Sequence, residues 1–268
     1  MDHTAVLITG ASSGVGYATA ALLAQQGYRV FGTSRRAGEV AGPAAVEMLP
    51  LDVRDDGSVR ACVDAVVARA GRLDVLINNA GYELAGAVEE VSIAEATAQF
   101  DTNFFGVHRM VRAALPLMRA QRSGRIVNVS SLAGMVSVPY MGIYSATKFA
   151  LEGYTEALRM EVRSHGIHVS LVEPAFLNTP MQANRQYASA PLAAYERSRA
   201  GAFAAFRREE AEGPDADLVA RTILAIVRKR NPRLRNLVGS KARQNLTLRR
   251  VLPAAVFEPA TRRYFGIE

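Results

Sequence analysis

The sequence predicts an α/β protein: one doubly wound parallel sheet of about seven strands with helices on both faces, a Rossmann-type fold. Three observations predict it. Short β-branched runs alternate with longer helical patterns; the runs are apolar almost throughout; and a glycine turn joins the first run to the first helix. A strand that is apolar on both sides must be covered on both faces, which crossover helices between parallel strands achieve. The strand candidates are Ala5–Thr9, Arg29–Thr33, Val46–Leu51, Val75–Asn78, Arg125–Ser130, His168–Glu173 and a short one near Asn236–Val238. Helical patterns fill the intervals at Gly16–Gln26, Ser58–Ala70, Ile93–Arg122 and Tyr144–His165.

No repeat and no Pro/Gly/Ser linker divides the 268 residues, so residues 1–268 read as a single domain. Two stretches break the rhythm. Residues 176–213 interrupt the last strand–helix unit with scattered aromatics and read as a substrate-binding insertion. Their arginines (Arg185, Arg197, Arg199, Arg207, Arg208) would suit a large apolar molecule with a polar or anionic end, and a solvated helix explains them equally well. Residues 240–268 form a basic C-terminal extension of open role.

Composition narrows the function classes. Apolar residues make up 49% and charged residues 21%, enough for a core and against disorder. A single cysteine, Cys62, excludes an internal disulfide, and with only four histidines no metal site is expected. The N-terminus lacks the basic and apolar regions of a secretory signal. The uncharged span from Ile126 to Thr147 carries Asn128, Ser130, Ser131 and Pro139, too polar for lipid. A cytoplasmic protein without a transmembrane segment is expected. Net charge is +7, and between Arg221 and Arg263 twelve Lys or Arg face one acid, Glu258. No aromatic–basic interleaving accompanies them, so they read as a solvated basic face, with a membrane-surface or protein contact as the next reading and no nucleic acid expected.

Thr9-Gly10-Ala11-Ser12-Ser13-Gly14-Val15-Gly16 places a glycine turn where a helix N-terminus can receive phosphate, because free N–H groups and the helix dipole favour anions there. The second strand ends Thr33-Ser34-Arg35-Arg36 without the acid that would bind a ribose 2′-hydroxyl. An arginine can bind a 2′-phosphate with a planar fork of donors. The expected cofactor is therefore NADP(H), with Arg35 the main contact and Ser12 or Arg36 assisting.

Tyr144-Ser145-Ala146-Thr147-Lys148 puts a phenol and an ammonium at i and i+4 on one helix face. An ammonium stabilises a phenolate, which would suit the tyrosine to exchange protons with an alcohol or carbonyl. Ser131 lies thirteen residues upstream, just past an apolar strand, and Ser130 is its rival. Asn78-Asn79-Ala80-Gly81 closes the fourth strand, and Asn103 sits in a helical stretch.

In their order and spacing, TGASSGVG, Asp52-Val53, NNAG, Asn103, Ser131 and YSATK resemble the short-chain dehydrogenase/reductase superfamily over roughly residues 4–180. The ending of the second strand and the long basic C-terminal segment look like its 17β-hydroxysteroid and retinol dehydrogenase branch. The resemblance implies roles. Ser131 would polarise the substrate oxygen, Tyr144 would be the general acid or base, Lys148 would lower the tyrosine pKa and hold the nicotinamide ribose, and Asn103 would hold a relay water. Gly10, Ser12, Ser13, Gly14, Val15 and Gly16 would cradle the pyrophosphate. Asp52 and Val53 would contact adenine, and Asn79, Ala80 and Gly81 would line the ribose region. Pro174, Phe176 and Thr179 would flank the nicotinamide, and Phe176 and Met181 would join Ser131 and Tyr144 in contacting substrate. Ala175 stands where the family usually has glycine, so that loop should shift slightly.

The implied activity is hydride transfer between NADP(H) and a small hydrophobic carbonyl or secondary alcohol, steroid-like, retinoid-like or polyketide-like. Alternatives in the same fold are an epimerase, a dehydratase, a tailoring ketoreductase or a silent NADPH-binding regulator. Family members are often dimers or tetramers through the helices corresponding to Ile93–Arg122 and Tyr144–His165, so a homo-dimer or homo-tetramer is expected.

Overall fold

β1 (Ala5–Ile8) lies inside the sheet with every side chain buried. Its pleat sends Ala5 and Leu7 into one core and Val6 and Ile8 into another, on opposite faces. This computed structural model describes residues 4–38, 42–178 and 185–267. Around β1 run β2 (Arg29–Ser34), β3 (Val46–Pro50), β4 (Val75–Asn78), a short β5 (Leu84–Ala85), β6 (Gly124–Val129), β7 (Ile167–Pro174), a short β8 (Gln186–Tyr187) and β9 (Arg235–Val238). The main sheet has the order β3-β2-β1-β4-β6-β7-β9 and every pairing is parallel.

The chain winds outward from β1 to β3, then returns to β4 on the other side of β1. Ligands in open α/β sheets bind at such a reversal, beyond the carboxyl ends of the strands. The parallel register puts Thr9, Asn79, Ser131 and Pro174 along that one edge.

α1 (Gly14–Gln25) and α7 (Ala216–Arg228) cover one face, and α2 (Asp56–Ala70), α4 (Gly106–Gln121) and α5 (Gly142–Val162) cover the other. The sequence predicts an unbroken helix over Ile93–Arg122. Instead α3 (Ile93–Phe100) leads into a wide turn at Asp101–Phe105, where the Gly106 N–H reaches back five residues to the Asp101 carbonyl, before α4 begins. The extra residue turns Asn103 inward. Gly106 then packs so closely on Val53 that a Cβ there would stand 2.7 Å from Val53 Cγ2.

The insertion contributes β8, which pairs with β5, and α6 (Glu196–Ala211). The C-terminal segment forms α8 (Ser240–Val251) and α9 (Ala254–Tyr264). Ala242 and Leu246 of α8 pack with Leu132, and Phe265 packs edge-on against Phe206 of α6 at 5.8 Å. The basic extension is thus a second wall behind the insertion. No helix among the described residues is long and apolar enough to cross a membrane.

Candidate active site

The glycine turn is built from backbone contacts. Thr9 Oγ1 accepts the Asn79 and Ala80 N–H groups at 2.9 Å each, and Asn79 Nδ2 donates to the Thr9 and Gly10 carbonyls at 3.0 Å each. Gly10 and Gly14 hold φ of +68° and +52°, a region glycine enters without steric cost. Gly16 has no room for a side chain, since its Cβ would lie 2.2 Å from the Gly10 carbonyl oxygen. Ser13 stands at the N-cap of α1 without a side-chain capping bond, and no acid occupies the first turn. Those N–H groups and the dipole face the crevice that Val15 and Asn79 line, and buried Asn79 Oδ1 has no partner among the described residues. The site thus fits a dinucleotide pyrophosphate and ribose.

Arg35 and Arg36 are exposed beyond β2. Asp52 is gripped by Arg54 through Nε at 3.0 Å and a terminal nitrogen at 2.7 Å, which holds its carboxyl near 2; the charge of Arg35 acts in the same direction. The Val53 side chain is buried against Gly106, so any contact it makes with adenine falls to its backbone.

The far half of the crevice is a cleft partly open to solvent, into which Ser131, Tyr144 and Lys148 face. Tyr144 and Lys148 lie on the first turns of α5, both under 10% exposed. Lys148 Nζ donates to the Val129 carbonyl at 2.9 Å and sits 5.7 Å from the Tyr144 ring centre. Burial lowers the Lys148 ammonium to about 8, with the charges of Glu83 and Glu152 opposing. Burial also raises the Tyr144 phenol above its usual range, as does the charge of Glu83; the Ser131 hydroxyl and Arg185 oppose this. The sequence implied a tyrosine lowered by its lysine. In the protein by itself desolvation wins, because it acts on both groups.

Ser131 accepts the Ala133 N–H at 3.1 Å and donates to the Pro174 carbonyl at 3.4 Å. Ser130 is buried with its hydroxyl unpartnered among the described residues. Asn103 is buried, and its amide clamps Tyr82 from both sides: Oδ1 accepts the Tyr82 N–H at 3.1 Å and Nδ2 donates to the Tyr82 carbonyl at 2.9 Å. Phe176 stacks on Phe206 at 5.7 Å and lines the cleft. The Ala175 methyl is absorbed beside Leu132 and Leu237, and its N–H still bonds the Val238 carbonyl at 3.2 Å. Thr179 and Met181 lie outside the described residues.

A family model described as short chain dehydrogenase matches residues 4–189. The chain belongs to the short-chain dehydrogenase/reductase family. It is 43% identical over 243 residues, 89% of each chain, to a 3-ketodihydrosphingosine reductase of Bacteroides thetaiotaomicron. It is 38% identical to an estradiol 17-beta-dehydrogenase 1 of Rattus norvegicus, covering 88% of this chain and 73% of that one. Among solved structures, a short-chain dehydrogenase from Streptomyces avermitilis aligns over 97% of this chain and 98% of its own, with a TM-score of 0.83 and 33% identity. A Burkholderia phymatum member in complex with NAD aligns over 93% of each chain, with a TM-score of 0.79 and 28% identity. This short-chain dehydrogenase therefore has 17β-hydroxysteroid dehydrogenase-like relatives, as the sequence implied.

The structure adds Glu83, Glu210 and Arg235, which the sequence did not single out, and gives Arg185 its partners. Arg185 pairs with Glu83, its terminal nitrogen 2.5 Å from Oε2, and with Glu210. It is therefore committed to carboxylates and not free for an anionic substrate end. Behind Lys148, Arg235 joins Glu152, Glu156 and Glu173. Glu173 was visible as a lone charge in the apolar run of β7. Glu83 gave no signal beyond following NNAG by two residues.

Proposed function

We propose that this enzyme moves a hydride between NADP(H) and the carbonyl or secondary alcohol carbon of a hydrophobic substrate, with reduction of a long-chain ketone as the favoured direction. One observation carries the reading: Ser131, Tyr144 and Lys148 face into one apolar cleft that opens beside the glycine turn. The names of the relatives, a ketosphingoid reductase and a steroid dehydrogenase, support a lipid-like ketone.

When bound, the nicotinamide supplies or accepts the hydride. Tyr144 and Ser131 donate hydrogen bonds to the substrate oxygen as negative charge builds on it. Tyr144 then yields its proton, and the Lys148 ammonium, oriented by the Val129 carbonyl, stabilises the phenolate left behind. Asn103 spends its side chain on Tyr82, so a relay water there falls to the backbone of the wide turn or to a spare lone pair. Arg35, beyond β2 with no acid beside it on that strand end, selects the 2′-phosphate. The exposed Phe105, Phe149 and Met160 on the α4–α5 side suit a homo-oligomer contact.

The test is fluorescence titration with NADPH and NADH, then turnover against long-chain ketones, steroid ketones and retinal. Tighter NADPH binding with turnover of a long-chain ketone is expected. Preference for NADH would overturn the assignment to Arg35, and cofactor binding without turnover of any carbonyl would favour a regulator.

A further inference from the structure

The C-terminal helices carry a surface that the reaction does not use. α8 stops at Val251, since Leu252 turns extended and Pro253 cannot continue a helix, and α9 starts at once. The corner between them stands out into solvent. Val251 is 72% exposed, Val256 52% and Leu248 41%, and Pro253, Ala254 and Ala255 are exposed with them. No residue of α9 is buried. Single exposed aliphatics are ordinary, whereas a contiguous group marks an interaction site.

The same corner is ringed by cations. Between Ser240 and Tyr264 six Lys or Arg stand against one acid, Glu258. Lys241 is taken by Glu209 and Glu212. Arg243, Arg249, Arg250, Arg262 and Arg263 are exposed, and none of them pairs with a carboxylate among the described residues. Arg249 lies instead over the Phe257 ring at 5.5 Å, which ties α8 to α9. A solvated basic face accounts for the arginines but not for the aliphatics among them, which water disfavours. A protein partner would favour aromatics and few alanines at the centre of the contact. A second copy docked through the corner would set the same arginines against each other. An anionic bilayer suits both groups, with guanidinium groups on phosphates and aliphatics at the acyl boundary.

We propose that the α8–α9 corner seats the enzyme on an anionic lipid bilayer. Leu248, Val251 and Val256 enter the boundary between headgroups and acyl chains, and Arg249, Arg250, Arg262 and Arg263 meet lipid phosphates. The attachment is peripheral, because no helix among the described residues is long and apolar enough to cross. α8 also backs the cleft, since its Ala242 and Leu246 pack with Leu132 of the cleft wall. The seat and the cleft thus share one helix. The proposal does not depend on which carbonyl compound the cleft accepts.

The experiment is flotation of the full chain with vesicles of phosphatidylcholine alone and of phosphatidylcholine mixed with phosphatidylglycerol. Binding to the anionic vesicles is expected, weakening as added salt screens the surface charge. Arg262→Gln combined with Arg263→Gln should weaken it by roughly twentyfold, about fivefold for each cation lost. The chain has no tryptophan, so Val251→Trp puts a single reporter at the corner, and its emission should move to the blue on anionic vesicles. Val251→Glu combined with Val256→Glu should abolish flotation. Because both side chains are exposed, the thermal melt and NADPH titration of that variant should match wild type. No flotation with anionic vesicles, equal flotation with neutral ones, or an unshifted emission would each overturn the bilayer seat. Undiminished flotation of the double glutamate variant would do the same. A fall in its oligomer mass without lipid would assign the corner to contact between copies and also overturn the proposal.

Discussion

The two halves of the active cleft are built by different physics. The cofactor half is a backbone object: Thr9, Gly10, Gly16, Asn79 and Ala80 touch through main-chain groups or through side chains bonded to main chain. The substrate half is held by charged side chains, with Arg185 reaching Glu83, 102 residues away, and Arg199 reaching Glu90, 109 residues away. A backbone cradle fixes residue types locally, because only glycine fits. An ion-pair clasp constrains charge and leaves its location in the chain free. The first half suits any dinucleotide enzyme of this fold, and in the function proposed above the second sets what this one accepts.

Tyr144→Phe breaks the seam between the halves and should have the largest effect. Loss of one positioned proton donor should lower kcat by roughly 10²–10⁴-fold, with NADPH affinity nearly unchanged by titration. Normal turnover would remove Tyr144 from the proton transfer. Arg185→Met tests the clasp alone. It strands two carboxylates, one of them buried, and should cost about 3–5 kcal/mol of stability in denaturant unfolding while NADPH still binds. A variant as stable as wild type would show that Glu83 and Glu210 do not need the guanidinium.

Gly16→Ala tests the cradle alone. The new methyl meets the Gly10 carbonyl and Asn79 Nδ2 at 2.2 and 2.5 Å. Overpacking of that kind costs about 1–3 kcal/mol, and NADPH binding should weaken with it; unaltered binding would mean that the cradle yields. Arg35→Asp sharpens the cofactor half further, shifting preference from NADPH toward NADH on the order of tenfold or more by loss of a charged hydrogen bond. Unchanged preference in paired titrations would point to another cation, Arg36 first.

A pH dependence probes the floor beneath both halves. Burial raises the Glu173 carboxyl from 4.5 to about 7, the charge of Glu152 adding to this and the Asn236 N–H and Arg235 opposing. The folded protein therefore holds this proton more tightly than the unfolded chain. The stability it confers is fully present below about pH 4.5 and lost as pH rises through about 7. Thermal melts across that window should show the decline, and Glu173→Gln should flatten it. An unchanged slope would assign the decline to Glu152, whose carboxyl burial also raises.

The same contrast explains what could be read in the sequence. The seven strands of the main sheet were legible to within a residue or so, since apolar β-branched runs with breakers at their ends admit few alternatives. The cradle and the Ser131, Tyr144 and Lys148 set were legible because their spacing is local. The wide turn at Asp101–Phe105 was not, because nothing in Phe100–Gly106 violates a helical pattern; the inward turn of Asn103 appears only with Tyr82 opposite it. The β5–β8 pair and the Glu83–Arg185–Glu210 clasp depend on residues about a hundred positions apart. The tail gave its charge but not its partner, since Phe206 lies in another segment. For Tyr144, sequence spacing shows the neighbouring ammonium and hides the depth of burial, which raises the phenol in the protein by itself.

The roots of the insertion stand side by side. The Asn178 N–H bonds the Pro214 carbonyl at 2.9 Å, and a Cβ on Gly213 would lie 2.4 Å from the Phe176 carbonyl oxygen. A segment that leaves and re-enters a fold at one point can be exchanged without altering the path of the sheet, as tolerated domain insertions are. Residues 179–212 are therefore a natural cassette for grafting. Transplanted with Glu83 into a relative of different substrate range, they should carry selectivity along and leave the recipient's coenzyme choice as it was.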